Sequence, residues 1–412
     1  MAINDKCDAS RVSFTAVLFT GALAGLLSVA PAGAADPIQI GSRSEVSEVA
    51  LEVDEASGHL LAVLRYDTAG EDCFAVNLST DGGDSWSETY EQCSAHGIGN
   101  HLGTTVVGGF LYVGYISHIA VNSARVIRVQ TSDGVYDPIY GSVTVLLAAV
   151  QDTICHIALT SNHASYDDHL YLFAITEGNL VFFWTDEDGG AGSEPWHEVT
   201  TGVTDAWCWM LEATYNDGFW LGSGYNPLVA YQSSWDLYLW RYHGIDGPEH
   251  FLFDADAPVF EYPGSIAAAD DEMRAVYWSY SYQTKSCASS AAGSSPTCHT
   301  WDACNSGFAA DVVAAPGGGF GAVYAPDNND CLVRIEDASG QWSDSTPCHG
   351  SSLPLRGPVA IAPMQAFTPF SYGLVAIAND PLTGTPYFIR APIIFNNGFE
   401  SGDPSAWSSV TP

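Results

Sequence analysis

Five tryptophans in the segment 207–240 are the residues whose type and spacing first indicate binding chemistry. They are Trp207, Trp209, Trp220, Trp235 and Trp240. Exposed indole rings stack on the apolar faces of sugar rings while the indole N–H remains free to donate a hydrogen bond. Packing between neighbouring sheets is the commoner role of tryptophan, and it is the interpretation we favour. The cluster therefore gives a sugar-binding hypothesis and a structural alternative.

Carboxylates occur at three places where they could bind a ligand or a metal ion. Glu212 interrupts the segment MLEATY (210–215), where an apolar side chain is expected, and we favour a carboxylate that lines a water-filled channel. The segments DEDGG (186–190) and DNND (327–330) offer oxygen ligands for calcium. Neither has the spacing of an EF-hand loop, and turn formation explains both. We therefore predict no metal site and no cofactor.

The elements that must position these residues are short strands in a repeating pattern. A hairpin of two apolar strands recurs along the chain and begins at Ala50, Thr104, Ile157, Met210, Ile266, Val312 and Val359. A period of about fifty residues with several short strands per unit is typical of a β-propeller. A four-stranded blade cannot bury both of its faces alone, so blades stack around an axis.

The number of blades is six or seven. Seven hairpins favour seven blades, but the segment SCASSAAGSSPTCHTWDAC (286–304) in the fifth unit has a loop-like composition, which leaves six open. The segment PIQI, which begins at Pro37, is predicted to add the outer strand of the last blade beside TPYFIRAPIIF (385–395).

A tight turn follows the alternating strand residues Phe74, Val76 and Leu78. In NLSTDGGDSW (77–86), Gly supplies positive φ and Asp bonds its own backbone. The pattern formed by Ser79, Asp81, Gly83 and Trp86 resembles the Asp-box, a hairpin turn that recurs in sialidase-like β-propellers. A degenerate copy surrounds Asp337 and Trp342. The box indicates fold and implies no activity by itself.

The segment 58–88 around this turn resembles the first blade of exo-α-sialidases. The resemblance implies that Arg65 binds a sugar carboxylate and that Glu71 or Asp72 is the general acid. It further implies that Tyr372, in the turn between the first two strands of the last blade, is the nucleophile. Glu212 would then be the glutamate that activates it.

The arginines of this chain depart from the sialidase pattern. That family binds the sugar carboxylate with three arginines, and Glu48 or a neighbour in VSEVALEV (46–53) stands where the first is expected. An acid facing a carboxylate reverses the required electrostatics. Arg43 lies a few residues earlier and is the substitute that the sequence offers. Five other arginines fall on predicted third strands, away from the axis: Arg125, Arg128, Arg241, Arg334 and Arg390.

Bulk composition narrows the class of protein. The chain of 412 residues has 48 acidic and 12 basic residues, for a net charge of −36, which disfavours nucleic acid and anionic lipid as partners. Scarcity of lysine in so acidic a chain is typical of high-salt habitats. Residues 1–35 read as a secretory signal cleaved near Ala34 or Ala35. Residues 396–412 resemble a tail that recurs in secreted bacterial proteins.

Cysteine spacing predicts disulfides, because an exported chain folds in an oxidising compartment. Cys7 leaves with the signal. The expected pairs are Cys73 with Cys93, Cys331 with Cys348, Cys155 with Cys208, and one pair among Cys287, Cys298 and Cys304.

We therefore predict an all-β, secreted, sialidase-like propeller of six or seven four-stranded blades over 36–395. The function that we favour is binding of a glycan or protein at the axial face by a diverged, non-catalytic propeller. The alternatives are a retaining exo-α-sialidase-like glycoside hydrolase and a structural propeller with no ligand. We expect a monomer with no nucleic acid partner and no membrane insertion.

Overall fold

The computed structural model describes residues 36–390 with internal gaps. The gaps are Asn100 and the segments 119–121, 148–152, 163–168, 177–178, 186–195, 216–226, 244–246, 256–263, 270–271, 280–282, 291–295, 303–306, 315–318, 327–330, 337–339, 349–354, 365–370 and 379–383. The predicted signal (1–35), the predicted tail (396–412) and the segments DEDGG and DNND lie outside the described residues.

The described residues form seven four-stranded antiparallel sheets, which are the blades of a β-propeller. Strands are numbered in chain order and given from the innermost to the outermost. Blade 1 has β2 (Val46–Asp54), β3 (His59–Thr68), β4 (Glu71–Ser79) and β5 (Ser87–Ser94). Blade 2 has β6 (Gly103–Val107), β7 (Phe110–Ser117), β8 (Ser123–Gln130) and β9 (Val143–Leu147). Blade 3 has β10 (Ile154–Ser161), β11 (Leu170–Thr176), β12 (Asn179–Thr185) and β13 (His197–Thr200). Blade 4 has β14 (Ala206–Tyr215), β15 (Pro227–Ser233), β16 (Asp236–His243) and β17 (Gly247–Asp254). Blade 5 has β18 (Ser265–Ala269), β19 (Glu272–Ser279), β20 (Gln283–Ser290) and β21 (Thr297–Asp302). Blade 6 has β22 (Gly307–Ala314), β23 (Phe320–Pro326), β24 (Leu332–Ile335) and β25 (Thr346–Pro347). Blade 7 has β26 (Leu355–Met364), β27 (Ser371–Ala378), β28 (Thr385–Arg390) and β1 (Ile38–Gln39).

The sheets close into a ring. Each innermost strand contacts the innermost strand of the next blade, and β26 contacts β2. The first strand of the described chain completes the last blade, with Ile38 opposite Phe388 and Gln39 opposite Tyr387. The predicted closure by PIQI is therefore confirmed, and the sheet count favours seven blades over six.

All innermost strands run in the same direction, which gives the ring two distinct faces. Four antiparallel strands bring the chain back to the end of the blade at which it started, so the next innermost strand begins at that same end. The turns between second and third strands lie at this end as well. We call it the strand-start face.

Large apolar side chains fill the spaces between blades, as in the contact of blades 3 and 4. The rings of Phe173 and Phe182 lie 5.5 and 5.4 Å from that of Trp240, measured between centroids. The indole N–H of Trp240 donates to the carbonyl of Thr201 at 3.2 Å. Trp240 is fully buried, which confirms the core interpretation for this tryptophan.

The turn 79–86 is held by its own side chains. The Asp81 carboxylate accepts hydrogen bonds from the Ser79 hydroxyl at 2.8 Å and from the Ser85 hydroxyl and amide at 2.6 and 2.9 Å. The bond from the Ser85 hydroxyl is the main cause that lowers the pKa of Asp81 to about 2. Trp86 then packs on Phe388, with ring centroids 5.3 Å apart.

Four disulfides join described cysteines, and they are pairs that the spacing predicted: Cys73–Cys93, Cys155–Cys208, Cys287–Cys298 and Cys331–Cys348. Cys155–Cys208 links blades 3 and 4, while the others each join two strands of one blade or their flanks. Cys304 lies outside the described residues. In the part of the chain that the structure describes, there is no helix long and apolar enough to cross a membrane.

Candidate functional site: the axial cavity

A cavity of about 470 Å³ follows the axis of the propeller. All seven innermost strands or the residues just before them line it, from Ser47 on the strand-start face to Glu55 at the opposite end. Much of the wall is apolar and is built from alanine, valine, leucine and isoleucine. The side chains that depart from this pattern define the chemistry of the cavity.

Four carboxylates line the cavity: Glu48, Glu52, Glu212 and Asp311. Glu48 and Glu52 lie four residues apart on β2, and an even spacing puts side chains on the same side of a strand. Glu212 lies on β14 and Asp311 on β22, so three blades contribute acids to one narrow space.

Three of these carboxylates bond to a neighbouring blade. Glu48 Oε1 accepts from the Leu102 amide at 2.8 Å, and Glu52 Oε1 accepts from the Thr104 hydroxyl at 2.6 Å. Asp311 Oδ2 accepts from the amide of Ile361 at 2.8 Å. The second oxygen of Glu48 is buried and has no hydrogen-bond partner among the described residues, which leaves an acceptor for a ligand.

Burial raises the pKa of all four carboxyl groups. It is the main cause that brings the pKa of Glu48 and of Glu52 to about 7. Burial also raises the pKa of Asp311 and holds that of Glu212 well above its ordinary value. The charges of Asp311, Glu48 and Glu52 add to the effect at Glu212. The cavity therefore keeps protons at neutral pH, so its carboxyls both donate and accept hydrogen bonds.

We expect the propeller to lose stability as the pH rises from about 4.5 to 7. In this window the unfolded chain has already released the protons of Glu48 and Glu52, while the folded chain, with pKa values of about 7, still holds them. At pH 7 folding is then disfavoured by about 3 kcal/mol for each carboxyl. Thermal unfolding across pH 4–8 measures this loss. Glu52→Gln should make the slope shallower, and Glu198→Gln, on exposed β13, should not; equal slopes for the two variants would contradict the assignment.

Two stacked histidines lie beside the carboxylates. The rings of His101 and His156 are parallel, with centroids 3.6 Å apart, and His101 lines the cavity. Burial lowers the pKa of His101 to about 4 and that of His156 well below its ordinary value. Both rings are therefore neutral at neutral pH and supply no cation to the cavity.

The predicted carboxylate-binding Arg65 and the predicted acid Asp72 come together, but behind the cavity. Arg65 lies on the second strand of blade 1, donates to Ser47 Oγ at 2.9 Å, and has Nη2 3.9 Å from Asp72 Oδ2. Asp72 also accepts from the Ile98 amide at 3.2 Å. Neither residue lines the cavity. Glu71 is exposed at the first position of β4.

The other predicted site residues lie apart from one another. Arg43 pairs with Glu88 at 2.5 Å and Glu91 at 3.0 Å on the outermost strand of blade 1, away from the axis. Glu212 lines the cavity as the sequence interpretation favoured. Tyr372 was predicted in a turn, and this placement is wrong: it pairs with Pro363 in the ladder between β27 and β26. The strand Ser371–Ala378 was not predicted to include Tyr372, because the next residue, Gly373, is of a type that is uncommon in strand interiors.

No arginine lies among the described residues that line the cavity. The five arginines predicted on third strands are there, on β8, β16, β24 and β28. Several form ion pairs within the framework, such as Arg128 with Asp137 at 2.7 Å and Arg241 with Glu249 at 2.6 Å.

Two groups of side chains among the described residues have the composition of a metal site, each with two cysteines and one carboxylate: Glu71 with Cys73 and Cys93, and Asp254 with Cys287 and Cys298. In both groups the two cysteines are joined in a disulfide, so their sulfurs are not thiolate ligands.

Two tryptophans of the predicted cluster lie on the strand-start face. Trp207 and Trp235 contact edge to face, with ring centroids 5.5 Å apart, and Trp235 is 48% exposed. The core interpretation therefore does not hold for this pair. Trp220 and the side chain of Trp209 lie outside the described residues.

Neither protein-family models nor curated proteins match this chain. Among solved structures, the BP39L lectin from Burkholderia pseudomallei aligns with a TM-score of 0.60 and 13% identity over 85% of this chain and 99% of that one. An α-L-arabinanase from Penicillium chrysogenum, complexed with arabinobiose, gives a TM-score of 0.50 and 11% identity over 87% of this chain and 98% of that one. The NanB sialidase from Streptococcus pneumoniae gives a TM-score of 0.48 and 10% identity over 87% and 71%. The β-propeller that the sequence predicted is confirmed as a fold.

Proposed function

We propose that this protein is a secreted, non-catalytic propeller that binds a neutral glycan in its axial cavity. The observation that carries the proposal is the set of four carboxyls in a cavity whose described lining has no arginine. A sialic acid carboxylate would enter a buried, acid-lined cavity that has no arginine or lysine in its described lining to receive the charge. Neutral sugars carry hydroxyl groups instead, and these bond to carboxyls in either protonation state.

The size and wall of the cavity suit one or two sugar rings. Its volume of about 470 Å³ falls in the range of small-ligand sites, about 300–1,000 Å³. Apolar residues cover the C–H faces of a sugar, and the carboxyls with the unpartnered oxygen of Glu48 meet its hydroxyls. The arabinobiose complex and the lectin among the similar folds support this class of ligand.

A second candidate is a retaining glycoside hydrolase. The raised pKa of Glu212 favours it, because a general acid must keep its proton near neutral pH. In the exo-α-sialidase form of this proposal, Arg65 binds the carboxylate and Glu71 or Asp72 is the acid. Their placement outside the cavity lining supports that form less than hydrolysis of a neutral glycoside by Glu212.

Glu212→Leu should weaken binding of a neutral oligosaccharide about tenfold or more, because it removes a buried hydrogen-bonding group. Glu212→Gln keeps that group and should bind nearly as tightly. Calorimetric titration of a panel that includes arabinobiose, with sialyllactose as the anionic comparison, measures this. Failure of every neutral sugar to bind, or equal binding by Glu212→Leu, would refute the proposal.

Turnover separates the two candidates. The binding proposal expects no release of 4-methylumbelliferone from sialic acid or arabinofuranose glycosides above the level of Glu212→Gln. Release that Glu212→Gln abolishes would establish the hydrolase. Release that persists in Glu212→Gln but is lost in a Glu71→Ala, Asp72→Ala double variant would establish the sialidase form.

A further inference from the structure

An exposed aromatic platform lies on blade 4, outside the axial cavity. Trp235 exposes 48% of its surface and contacts the half-buried Trp207 edge to face at 5.5 Å. The other exposed large apolar side chains of the described chain are Val135, Ile139 and Leu252, so Trp235 is the aromatic member of that group. Leaving so large an apolar ring in water costs free energy, and a ligand that covers it would recover that cost.

The turn that presents Trp235 is held in an unfavourable conformation. Ser233 pairs with Asp236, so the connection between β15 and β16 is the two-residue turn of Ser234 and Trp235. Ser234 has φ of +54°, a region that L-residues other than asparagine and aspartate rarely adopt. Its carbonyl accepts a hydrogen bond from the side chain of the buried Gln232 at 3.2 Å. These contacts restrain the backbone of the turn, and the ring contact with Trp207 restrains the indole.

Polar groups surround the platform. Asp205 precedes β14 and is exposed, and its Oδ2 accepts from the Ser233 hydroxyl at 2.8 Å. Asp236 follows the turn, and both carboxylates lie close enough to Tyr238 to help burial raise the pKa of its phenol. An apolar ring flanked by hydrogen-bond acceptors matches a sugar, which has a C–H face and an edge of hydroxyl groups.

The platform and the axial cavity open on the same side of the molecule. Trp207 is at the start of β14, and the 234–235 turn joins a second to a third strand, so both lie on the strand-start face. Glu48 and Ser47, near the start of β2, lie at the same end of the cavity. No residue of the platform lines the cavity, so the platform is a separate surface.

We propose that Trp235, Trp207, Asp205 and Asp236 form a second carbohydrate subsite, which stacks one ring of a neutral polysaccharide on the strand-start face. A basic peptide is the competing ligand for aromatic rings near carboxylates. The chain has a net charge of −36. It would therefore attract a basic peptide over its whole acidic surface, and that attraction would not depend on one indole. The planar indole, with carboxylates beside it, favours the sugar.

The test is calorimetric titration with four soluble neutral polysaccharides: linear arabinan, arabinoxylan, mixed-linkage β-glucan and galactomannan. Each is titrated in 0.1 M and in 1 M NaCl, where the Debye length is about 10 Å and about 3 Å, so that any electrostatic contribution to binding is revealed. We expect at least one to bind with little dependence on salt. Trp235→Ala should weaken that binding about tenfold, the usual cost of truncating a central tryptophan, while Trp235→Phe should keep part of it.

The matched control is Ile139→Ala, which removes an apolar side chain that is 91% exposed on blade 2 and should leave binding unchanged. Arabinobiose or another small sugar held by the axial cavity should still bind Trp235→Ala normally and bind Glu212→Leu about tenfold or more weakly, so the two proposals fail separately. Absence of binding by all four polysaccharides, or unchanged binding by Trp235→Ala, would overturn the subsite. If Trp235→Ala weakened only the binding of poly-L-lysine, the platform would be assigned to a basic partner. That result would also overturn the carbohydrate subsite.

Discussion

Gly83→Ala is expected to lower the free energy of unfolding by about 3–5 kcal/mol, through overpacking and an unfavourable backbone angle together. Gly83 has φ of +93°, and a Cβ atom built there would lie 2.0 Å from Cε1 of Phe388. Phe388 is fully buried in blade 7 and cannot move aside without disturbing the contact with Trp86. Chemical denaturation of the purified variant measures the loss.

Gly109→Ala is the matched control, because Gly109 has φ of +78° and no atom within 4 Å of the added Cβ. It should cost about 1–2 kcal/mol, the backbone contribution alone. In a Phe388→Ala background the space is already open, so the additional cost of Gly83→Ala should fall to that of Gly109→Ala. Equal losses for the two glycine variants in the native background would show that Phe388 does not restrict the turn.

The position of Gly83 links this stability effect to the binding site. Arg390 on β28 donates to the Gly82 carbonyl at 2.8 Å and to Asp84 at 2.7 Å, so the turn of blade 1 is fastened to blade 7. The same two blades place β2 beside β26 in the wall of the cavity. Loosening this closure would open the cavity wall between β26 and β2, the strand that carries Glu48 and Glu52.

The fold was predictable because its signal repeats. Each blade must alternate buried and exposed positions to stack on its neighbours, so seven weak hairpin patterns reinforce one another. The blade count was less certain because 286–304 is rich in serine and alanine. In the structure this segment contributes to β20 and β21, and the Cys287–Cys298 disulfide joins the two strands directly. A covalent link and a buried Cys287 replace the apolar side chains that the pattern lacked.

The site was predictable only in part. The alternation along a strand indicates which face of the sheet a side chain lies on, but not how far that strand lies from the propeller axis. Glu212 stood out as an acid in an apolar strand, and Glu52 and Asp311 carry the same signal, which sequence reasoning missed. Arg65 and Asp72 do meet at the strand-start face, yet they belong to the second and third strands. Which blades cover which tryptophans depends on contacts far apart in sequence, so the exposure of Trp235 required the structure.

Glu336→Ala is expected to lower the free energy of unfolding by about 3–5 kcal/mol, because it leaves a buried positive charge without its partner. Its carboxylate holds Arg274 through Nε–Oε1 and Nε–Oε2 contacts of 2.9 Å and an Nη2–Oε1 contact of 2.8 Å. Both residues are 4% exposed. The truncated variant would leave the guanidinium buried beside Phe320 with most of its compensating charge gone.

Two further variants separate the buried pair from its surface partner. Arg274 also donates to Glu272 at 2.7 Å, but that carboxylate is 58% exposed, so Glu272→Ala should cost less than about 1 kcal/mol. Replacing both members of the buried pair, in Arg274→Met combined with Glu336→Leu, should restore most of the stability lost by Glu336→Ala, because no unpaired charge remains. Denaturation midpoints of the three proteins provide the comparison.

The double variant decides what the ion pair does in the ring. Arg274 lies on blade 5 and Glu336 just beyond the third strand of blade 6, so the pair joins neighbouring blades as Arg390 joins blades 7 and 1. If the apolar residues restore stability, the ion pair contributes little net stability and serves instead to set the register between blades 5 and 6. The blades should then remain correctly stacked around the cavity. If the double variant stays as unstable as Glu336→Ala, the hydrogen bonds of the pair are themselves essential to stacking, and an apolar contact of similar volume cannot replace them.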